Sequence, residues 1–522
     1  KLKTSESSSL EIAARRSFTD LLESPTYKSY YQRIFQNTEV INLSNNEDVN
    51  YSSEEDFFFY DLTLQYQQKI GKKNSFYMDV IGVSNDLKFA ESTFSNNQTI
   101  AKESELAQQN LGGNFTWKTD WSDTHATEIS IYSSYYNLEA LNLSVTSNQI
   151  LKQENNVLDT GIRLKNIHKL SNTLQLKEGY QFNEIGIRSI DEVNVPQFSR
   201  NVKEVLRSHA LIAELNYRSK NEKLFSTMGV RANYFEKWEL TIVEPRLQAT
   251  YALNSNFKIE LLGEQKNQTS SQVIDLQQDF LGVEKRRWIL ANNEDIPVQK
   301  SNQGSLGFVF TKNNWLVNLE GFYKKVTGIT SAAQGFQNQL EFIKVIGDYE
   351  VYGTEFLIQK QFHGFTGFLN YSWNSNTYTF EGYIPPQFAN NFEVTHALAA
   401  TATYEWKSLK IALGGKWFSG RPNTVPLTSE PIYNTPDNPE IVYNLPNSAN
   451  LDDYFQVNFT ASYQVDLGEK SMLNFGVSVV NLFNQKNSIN RFYRINSSNN
   501  AIEEVNTYSL ERTPNAFVKF SF

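Results

Sequence analysis

The chain has 522 residues, a formal net charge of −9 and an aromatic content of 14%. It has 0 cysteines, which excludes disulfides, thiolate metal ligands and cysteine nucleophiles. The acidic balance argues against nucleic acid as a partner, because no basic stripe is available for phosphates. No run of about 18 apolar residues occurs, so the sequence predicts no transmembrane helix.

Alternation of apolar and polar residues with a period of two recurs along the whole chain and predicts β-strands. Near the C-terminus, for example, Leu473, Phe475 and Val477 share one face, and Asn474 and Ser478 lie on the other. In chain order, about twenty strands are predicted near residues 9–18, 56–70, 73–90, 108–121, 124–139, 154–169, 173–190, 204–219, 223–238, 243–253, 256–268, 301–313, 315–327, 349–362, 365–380, 394–406, 408–420, 452–466, 470–484 and 511–522.

Short polar turns and long polar excursions alternate between these strands. The long excursions are predicted at 19–55, 91–107, 140–153, 191–203, 269–300, 328–348, 381–393, 421–451 and 485–510. Short turns at one rim and long loops at the other are typical of outer-membrane barrels, whose strands alternate between lipid and lumen. A β-sandwich also explains single alternating strands, but gives no reason for this sorting of loops. The sequence therefore predicts an all-β fold, a transmembrane antiparallel β-barrel.

A series of short motifs supports a more specific reading. In order, they are Ala14-Arg15-Arg16-Ser17-Phe18, Glu244-Pro245-Arg246-Leu247, Gly353-Thr354-Glu355-Phe356, Tyr371-Ser372-Trp373, His396-Ala397-Leu398, Ser419-Gly420-Arg421-Pro422, Asn481-Leu482-Phe483-Asn484 and the terminal Phe522. Together they resemble the barrel of TonB-dependent outer-membrane receptors, and the Asn-Leu-Phe-Asn motif with the terminal phenylalanine is the most specific pair. In that family, the terminal aromatic resembles the signal read by the barrel-assembly machinery.

The resemblance implies 22 strands around a lumen filled by an N-terminal plug. If Phe522 ends at the periplasmic rim, counting back makes 9–18 the third strand. We therefore expect residues 1–522 to form a single barrel domain with about 20 of 22 strands, without the plug and without the TonB box. This would be the larger part of a split, cleaved or incompletely represented receptor. The alternative is a 20-stranded, unplugged barrel that only resembles the family.

The function implied by the resemblance is active uptake of a scarce nutrient, such as a siderophore, cofactor, glycan or peptide. The expected partners are lipid and lipopolysaccharide of a Gram-negative outer membrane, a plug from the same gene or a separate chain, and the TonB complex through the missing N-terminal segment. The long loops would be extracellular. Two alternatives remain: a structural barrel subunit that docks a surface lipoprotein or secreted protein, and an unplugged passive pore.

No catalytic, cofactor-binding or metal-binding set is visible, so we do not expect an enzyme. Ligand or partner contacts are expected on the long loops, where exposed and variable surface lies. Lys285, Arg286, Arg287 and Trp288 could hold an anionic or aromatic ligand, or form a solvated loop or a lipopolysaccharide contact. A second group is a stiff aromatic loop with Arg421, Tyr433 and Tyr443. A third is a predicted short helix with Tyr27, Tyr30 and Tyr31, which would cap the barrel or dock a partner.

Other singled-out residues are expected to be structural. Asn481 and Asn484 should satisfy hydrogen bonds where the last hairpin leaves the bilayer. Glycines at 307, 367 and 476 should allow the wall to approach whatever fills the lumen. His396 is expected to make a hydrogen bond in the wall or at the rim.

Overall fold

The computed structural model describes all residues except 1, 4, 20–23, 35–50, 96–97, 146, 275–285, 337–339, 341–343, 430–431, 435–438, 469–470 and 496–500. The chain divides into two compact units. Unit 1 comprises Lys1–Glu23, Thr38–Ala249 and Glu264–Lys300, and unit 2 comprises Ser24–Asn37, Thr250–Gly263 and Ser301–Phe522. Among the described residues, no helix is long and apolar enough to cross a membrane.

Strands dominate the described residues. The strands are β1 Leu2–Lys3, β2 Ser8–Arg16, β3 Tyr51–Ile70, β4 Asn74–Ser95, β5 Gln98–Ser122, β6 His125–Ser144, β7 Gln149–Lys169, β8 Leu174–Val193, β9 Phe198–Arg218, β10 Leu224–Phe235, β11 Leu240–Ala252, β12 Phe257–Gln268, β13 Ser270–Ile274, β14 Arg286–Leu290, β15 Gln299–Lys312, β16 Trp315–Thr330, β17 Ile346–Phe362, β18 Phe365–Thr379, β19 Gln387–Ala389, β20 His396–Trp406, β21 Leu409–Phe418, β22 Pro422–Asn423, β23 Ile432–Asn434, β24 Pro439–Ile441, β25 Ala449–Asn450, β26 Tyr454–Asp466, β27 Met472–Val480, β28 Ser488–Ile495, β29 Ile502–Tyr508 and β30 Thr513–Ser521. Helix α1 is Pro25–Ile34, and 3₁₀ turns lie at Glu236–Trp238 and Ser331–Ala333.

One large sheet contains 22 of these strands. Two of them, β1 and β19, have only 2 and 3 residues. The remaining long strands match the predicted strands one for one, so the prediction of an antiparallel wall of about twenty strands is confirmed.

In unit 1, strands β1 to β10 pair with their sequence neighbours in antiparallel register. Strands β3 to β9 are 20 to 25 residues long. The long loops predicted at 91–107, 140–153 and 191–203 are therefore wrong, because most of these residues extend the strands. Polar residues such as Lys102 and Ser144 make these segments resemble loops in sequence, yet the pairing of these two residues continues the ladder.

In unit 2, strands β16, β17, β18, β20, β21, β26, β27 and β30 pair in that order. The register sets Val477 opposite Ala516 and Ser478 opposite Asn515, on opposite faces of the sheet. Val477 is exposed. The predicted alternation of the last hairpin is confirmed.

Two of the singled-out glycines make room for aromatic rings. A Cβ on Gly476 would lie 2.6 Å from the Phe517 ring of the neighbouring strand, and a Cβ on Gly367 would lie 3.0 Å from the Phe365 ring. The rings of the wall itself therefore fill these spaces, as aromatic side chains do beside glycines in sheets. The expectation that these two glycines let the wall approach material in the lumen stays a prediction.

Candidate ligand-binding loops

An aromatic cluster stabilises the loops after β16 and β18 in unit 2. The Phe336 ring packs edge-on against Tyr378, Phe380 and Tyr383, with centroid distances of 5.8 to 6.1 Å. Tyr378 and Phe380 are fully buried. The Tyr383 hydroxyl donates to the Leu340 carbonyl at 3.1 Å. These contacts give the loops a core of their own and hold them in one conformation.

A second loop, between β21 and β26, is hydrogen-bonded through Asn447 to the first loop, which lies between β18 and β20. Its amide Nδ2 donates to the Ala389 carbonyl at 2.8 Å and to Asn391 Oδ1 at 2.7 Å. Within the second loop, the Thr424 hydroxyl accepts the Asn447 backbone N–H at 2.9 Å. The two loops are therefore hydrogen-bonded parts of one surface.

Arg421 begins the second loop and contacts a third one, between β27 and β30. A Cβ on the preceding Gly420 would lie 1.6 Å from the Leu451 carbonyl oxygen, so only glycine fits this close crossing. Arg421 Nη2 donates to the Ile489 carbonyl oxygen. Burial lowers the pKa of the Arg421 guanidinium. In the described part of the chain, no carboxylate forms an ion pair with it, so most of its donors remain available to an anion.

Tyr443 lies against the same third loop. Its ring is 6.5 Å from the Tyr493 ring on β28, at 65°. Burial is the main factor that raises the pKa of Tyr493. Beside it, Arg491 pairs with Glu504 at 3.2 Å. Thus Arg421 and Tyr443, both predicted as contacts, meet one hairpin, β28–β29; only the backbone of Tyr433 is described.

Sequence reasoning missed the β28–β29 hairpin and its residues Arg491 and Tyr493. Residues 485–510 look like a polar excursion, and the alternation in Ser488–Ile495 is a weak signal beside the asparagine-rich stretch that follows.

In unit 1, Arg287 and Trp288 of the predicted basic segment lie against the wall. Lys285 lies outside the described residues, and only the backbone of Arg286 is described, at the start of β14. Arg287 Nη1 lies 3.9 Å from Asp191 Oδ2. Trp288 packs against the buried cluster around Leu290, and its backbone N–H donates to Asn155 Oδ1 at 3.1 Å. These contacts hold Arg287 and Trp288 against β7 and β8.

The predicted short helix is confirmed as α1. The rings of Tyr27 and Tyr31 are 6.4 Å apart, whereas Tyr30 is exposed. The Thr26 hydroxyl donates to the Pro514 carbonyl at 2.7 Å, which attaches the helix to β30.

The Asn-Leu-Phe-Asn motif forms the start of the third loop. Asn481 is 0% exposed; its Nδ2 donates to the carbonyls of Gln485 and Leu510 at 2.8 and 3.0 Å. Asn484 Oδ1 accepts the backbone N–H of Arg512 at 2.7 Å. Both asparagines have positive φ, which asparagine tolerates better than most residues. Leu482 lies between them, and Phe483 and Phe522 are exposed.

Within the described part of the chain, the histidines do not form a metal site. Tyr371 hydroxyl lies 2.8 Å from His396 Nδ1, in line with the hydrogen bond expected for His396 in the wall. No group of three or more His, Asp or Glu side chains suited to a metal occurs among the residues that the structure describes.

The paired wall, its alternating faces and its interlocked loops define an outer-membrane type of β-barrel. The family model "TonB dependent receptor-like, beta-barrel" matches residues 30–482. The chain therefore belongs to the β-barrel family of TonB-dependent receptors, which are outer-membrane transport receptors. A search of curated proteins gave no match.

Several solved structures share the fold at low sequence identity. The ferric citrate transporter FecA has a TM-score of 0.59 at 9% identity, over 90% of this chain and 78% of FecA. The ferric yersiniabactin uptake receptor FyuA from Yersinia pestis has a TM-score of 0.57 at 11% identity, over 91% and 79%. BauA, the ferric preacinetobactin receptor from Acinetobacter baumannii, has 0.56 at 8%, over 91% and 78%.

Proposed function

We propose that this barrel takes up an anionic ferric chelate that binds at the loops around Arg421. The observation that carries the proposal is the half-buried Arg421, which has a carbonyl partner but no carboxylate partner in the described chain. Tyr443 and Tyr493 supply aromatic rings beside the same hairpin. A desolvated guanidinium suits the carboxylate or catecholate oxygens of a ligand, and the neighbouring aromatic rings suit its planar groups. The similarity to FecA, FyuA and BauA, a transporter and two receptors of ferric complexes, supports this ligand class.

We also propose an orientation and partners for the barrel. The long loops face the exterior, where the chelate arrives, and the short turns with Phe522 face the periplasm. A plug domain, on the same polypeptide or a separate chain, occludes the lumen, and the TonB complex supplies the energy. Lipopolysaccharide surrounds the outer half of the wall.

Uptake of ⁵⁵Fe-labelled chelates by a deletion strain tests the proposal. The strain is complemented with the full receptor carrying wild-type sequence, Arg421→Gln or Arg512→Gln. Arg512 is an exposed arginine near the same loops and serves as the matched control. We expect wild type and Arg512→Gln to restore uptake of at least one anionic ferric chelate. Arg421→Gln should weaken binding by about tenfold or more, as for loss of a hydrogen bond to a charged group.

The energy source is tested with a protonophore, which should abolish uptake but not surface binding. If deletion leaves uptake of every ferric chelate in the panel unchanged, the ligand class is wrong. If uptake needs the receptor but Arg421→Gln binds and transports like wild type, the site assignment is wrong and the ligand class stands.

A further inference from the structure

At the short-turn end of unit 2, two lysines lie on tryptophan rings. Lys360 Nζ is 4.8 Å from the centroid of the Trp315 ring, and Lys407 Nζ is 5.3 Å from that of Trp406. Trp315 and Lys360 are directly opposite each other in the β16–β17 ladder. Trp406 is the last residue of β20, and Lys407 follows it in the turn. Each pair places a cation on an indole face beside a short turn.

Lys360 lies on the outer, apolar face of the wall. Alternate residues of a strand share a face, so Lys360 shares its face with Phe362 and Tyr352, which are 50% and 49% exposed. Trp315, opposite Lys360, is 41% exposed. This is the arrangement of an interfacial belt, where aromatic rings lie at the headgroup level and lysines extend their charge toward water.

Among the described residues, no acid compensates the charge of Lys360 or Lys407. Lys360 Nζ donates to the Asn313 carbonyl at 2.8 Å, and an ammonium has three N–H donors. Across the described residues, neither Lys360 nor Lys407 forms an ion pair with a carboxylate. Lys410 of the same hairpin differs, because its Nζ lies 2.6 Å from Glu405 Oε1. Lys360 therefore keeps donors and charge for an external anion.

We propose that Lys360, on the Trp315 ring, binds the phosphate of an anionic glycerophospholipid of the phosphatidylglycerol type, and that Lys407, on the Trp406 ring, forms a second contact of the same kind. The acyl chains would lie along the outer apolar face, and the phosphate would meet the ammonium at the level of the indole rings. The assignment to a glycerophospholipid rests on the proposed function, since the short turns then lie at the periplasmic leaflet. Lipid A phosphates belong to the opposite leaflet.

Native mass spectrometry of the purified full receptor tests this site. The receptor is equilibrated with mixed phosphatidylglycerol and phosphatidylethanolamine, and retained lipids are counted as activation increases. For Lys360→Gln we expect about fivefold weaker retention of phosphatidylglycerol, the factor that corresponds to about 1 kcal/mol per lysine at an anionic surface. Adding Lys407→Gln should weaken it further, and phosphatidylethanolamine should not change.

Lys416→Gln is the matched control, because Lys416 Nζ lies 4.9 Å from the Tyr454 ring, away from the short turns. It should retain phosphatidylglycerol like wild type. Equal retention by wild type and Lys360→Gln would overturn the inference, as would an equal loss in Lys416→Gln. Mobility shifts on heating before electrophoresis confirm that each variant is folded.

The orientation of the barrel is measured in a separate experiment, so that failure of the lipid site can be distinguished from failure of the proposed function. The chain has 0 cysteines, so Ser408→Cys in the exposed turn after Trp406 gives a single label site. Labelling by an impermeant maleimide only after the outer membrane is opened supports the periplasmic assignment. Labelling in intact cells, with retention of lipid A over phosphatidylglycerol, would overturn both this inference and the proposed orientation.

Discussion

Placing an arginine on each face of β27 tests the membrane-facing assignment of the wall. Val477 is 53% exposed and lies opposite Ala516 on the outer face. It is five residues along β27 from Met472, where the strand begins. At about 3.4 Å per residue and a tilt of roughly 40°, that places it about 13 Å along the membrane normal. The apolar band of such barrels is about 25 Å tall, so Val477 lies near its middle.

We expect Val477→Arg to make folding into vesicles less favourable by about 2–4 kcal/mol, the cost of arginine at the midplane of a barrel's lipid face. Ser478→Arg should cost less than about 1 kcal/mol, because Ser478 faces the lumen side with Asn515. The assay is guanidinium-dependent folding of the chain into phospholipid vesicles, followed by tryptophan fluorescence. Equal costs for the two variants, or a larger cost for Ser478→Arg, would refute the assignment of faces.

Three further predictions concern packing, hydrogen bonding and pH. Gly476→Leu should destabilise the barrel by about 1–3 kcal/mol in the same assay, because a Cβ there meets the Phe517 ring at 2.6 Å; adding Phe517→Ala should recover part of the loss, and no recovery would exclude the ring as the cause. Asn481→Ala should cost about 1–3 kcal/mol, because it leaves buried loop groups without partners; Phe483→Ala, at an exposed position, is the control, and an equal cost would count against the hydrogen bonds. Burial raises the pKa of Glu393 in the folded protein. Ionised Glu393 therefore destabilises the folded loop when the pH is above its folded-state pKa, and this penalty disappears when the pH is below its unfolded-state pKa. Glu393→Gln should therefore raise the melting temperature relative to wild type at pH 8 but not at pH 4; the same difference at both values would contradict this.

The membrane-crossing part of the fold was predictable because lipid and lumen impose opposite requirements on alternate residues. The pattern in β27 alone identifies both faces, and the loops between the strands identify the two rims. The parts of β4 to β9 that fall in the predicted loops 91–107, 140–153 and 191–203 were not predictable in this way. Polar residues such as Lys102 and Ser144 interrupt the apolar alternation there, although backbone pairing continues. The existence of the long wall strands was therefore readable from the sequence, whereas their length was not, and the short hairpin β28–β29 was missed.

The long loops of unit 2 were predictable as locations and not as contacts. Arg421 and Tyr443 were identifiable as a cation and an aromatic on a stiff loop, because prolines and short motifs around them are visible locally. Their shared contact with β28 depends on residues far apart in the chain, such as Ile489 and Tyr493. Trp288 shows the opposite case: an aromatic beside arginines suggested a ligand contact, but its ring packs in an apolar cluster of the wall.

The two ends of unit 2 use cations in physically different ways. At the loop end, Arg421 is half-buried and its planar fork donates to a backbone carbonyl, which fixes its orientation before any ligand arrives. At the turn end, Lys360 lies on an indole face with a flexible stem and a compact charge, which suits a headgroup that moves in the bilayer plane. A pre-oriented guanidinium loses little conformational entropy when it binds, so it favours a specific, geometrically defined anion. The choice of arginine among the loops and lysine at the belt is therefore consistent with a specific ligand at one end and an exchangeable lipid at the other.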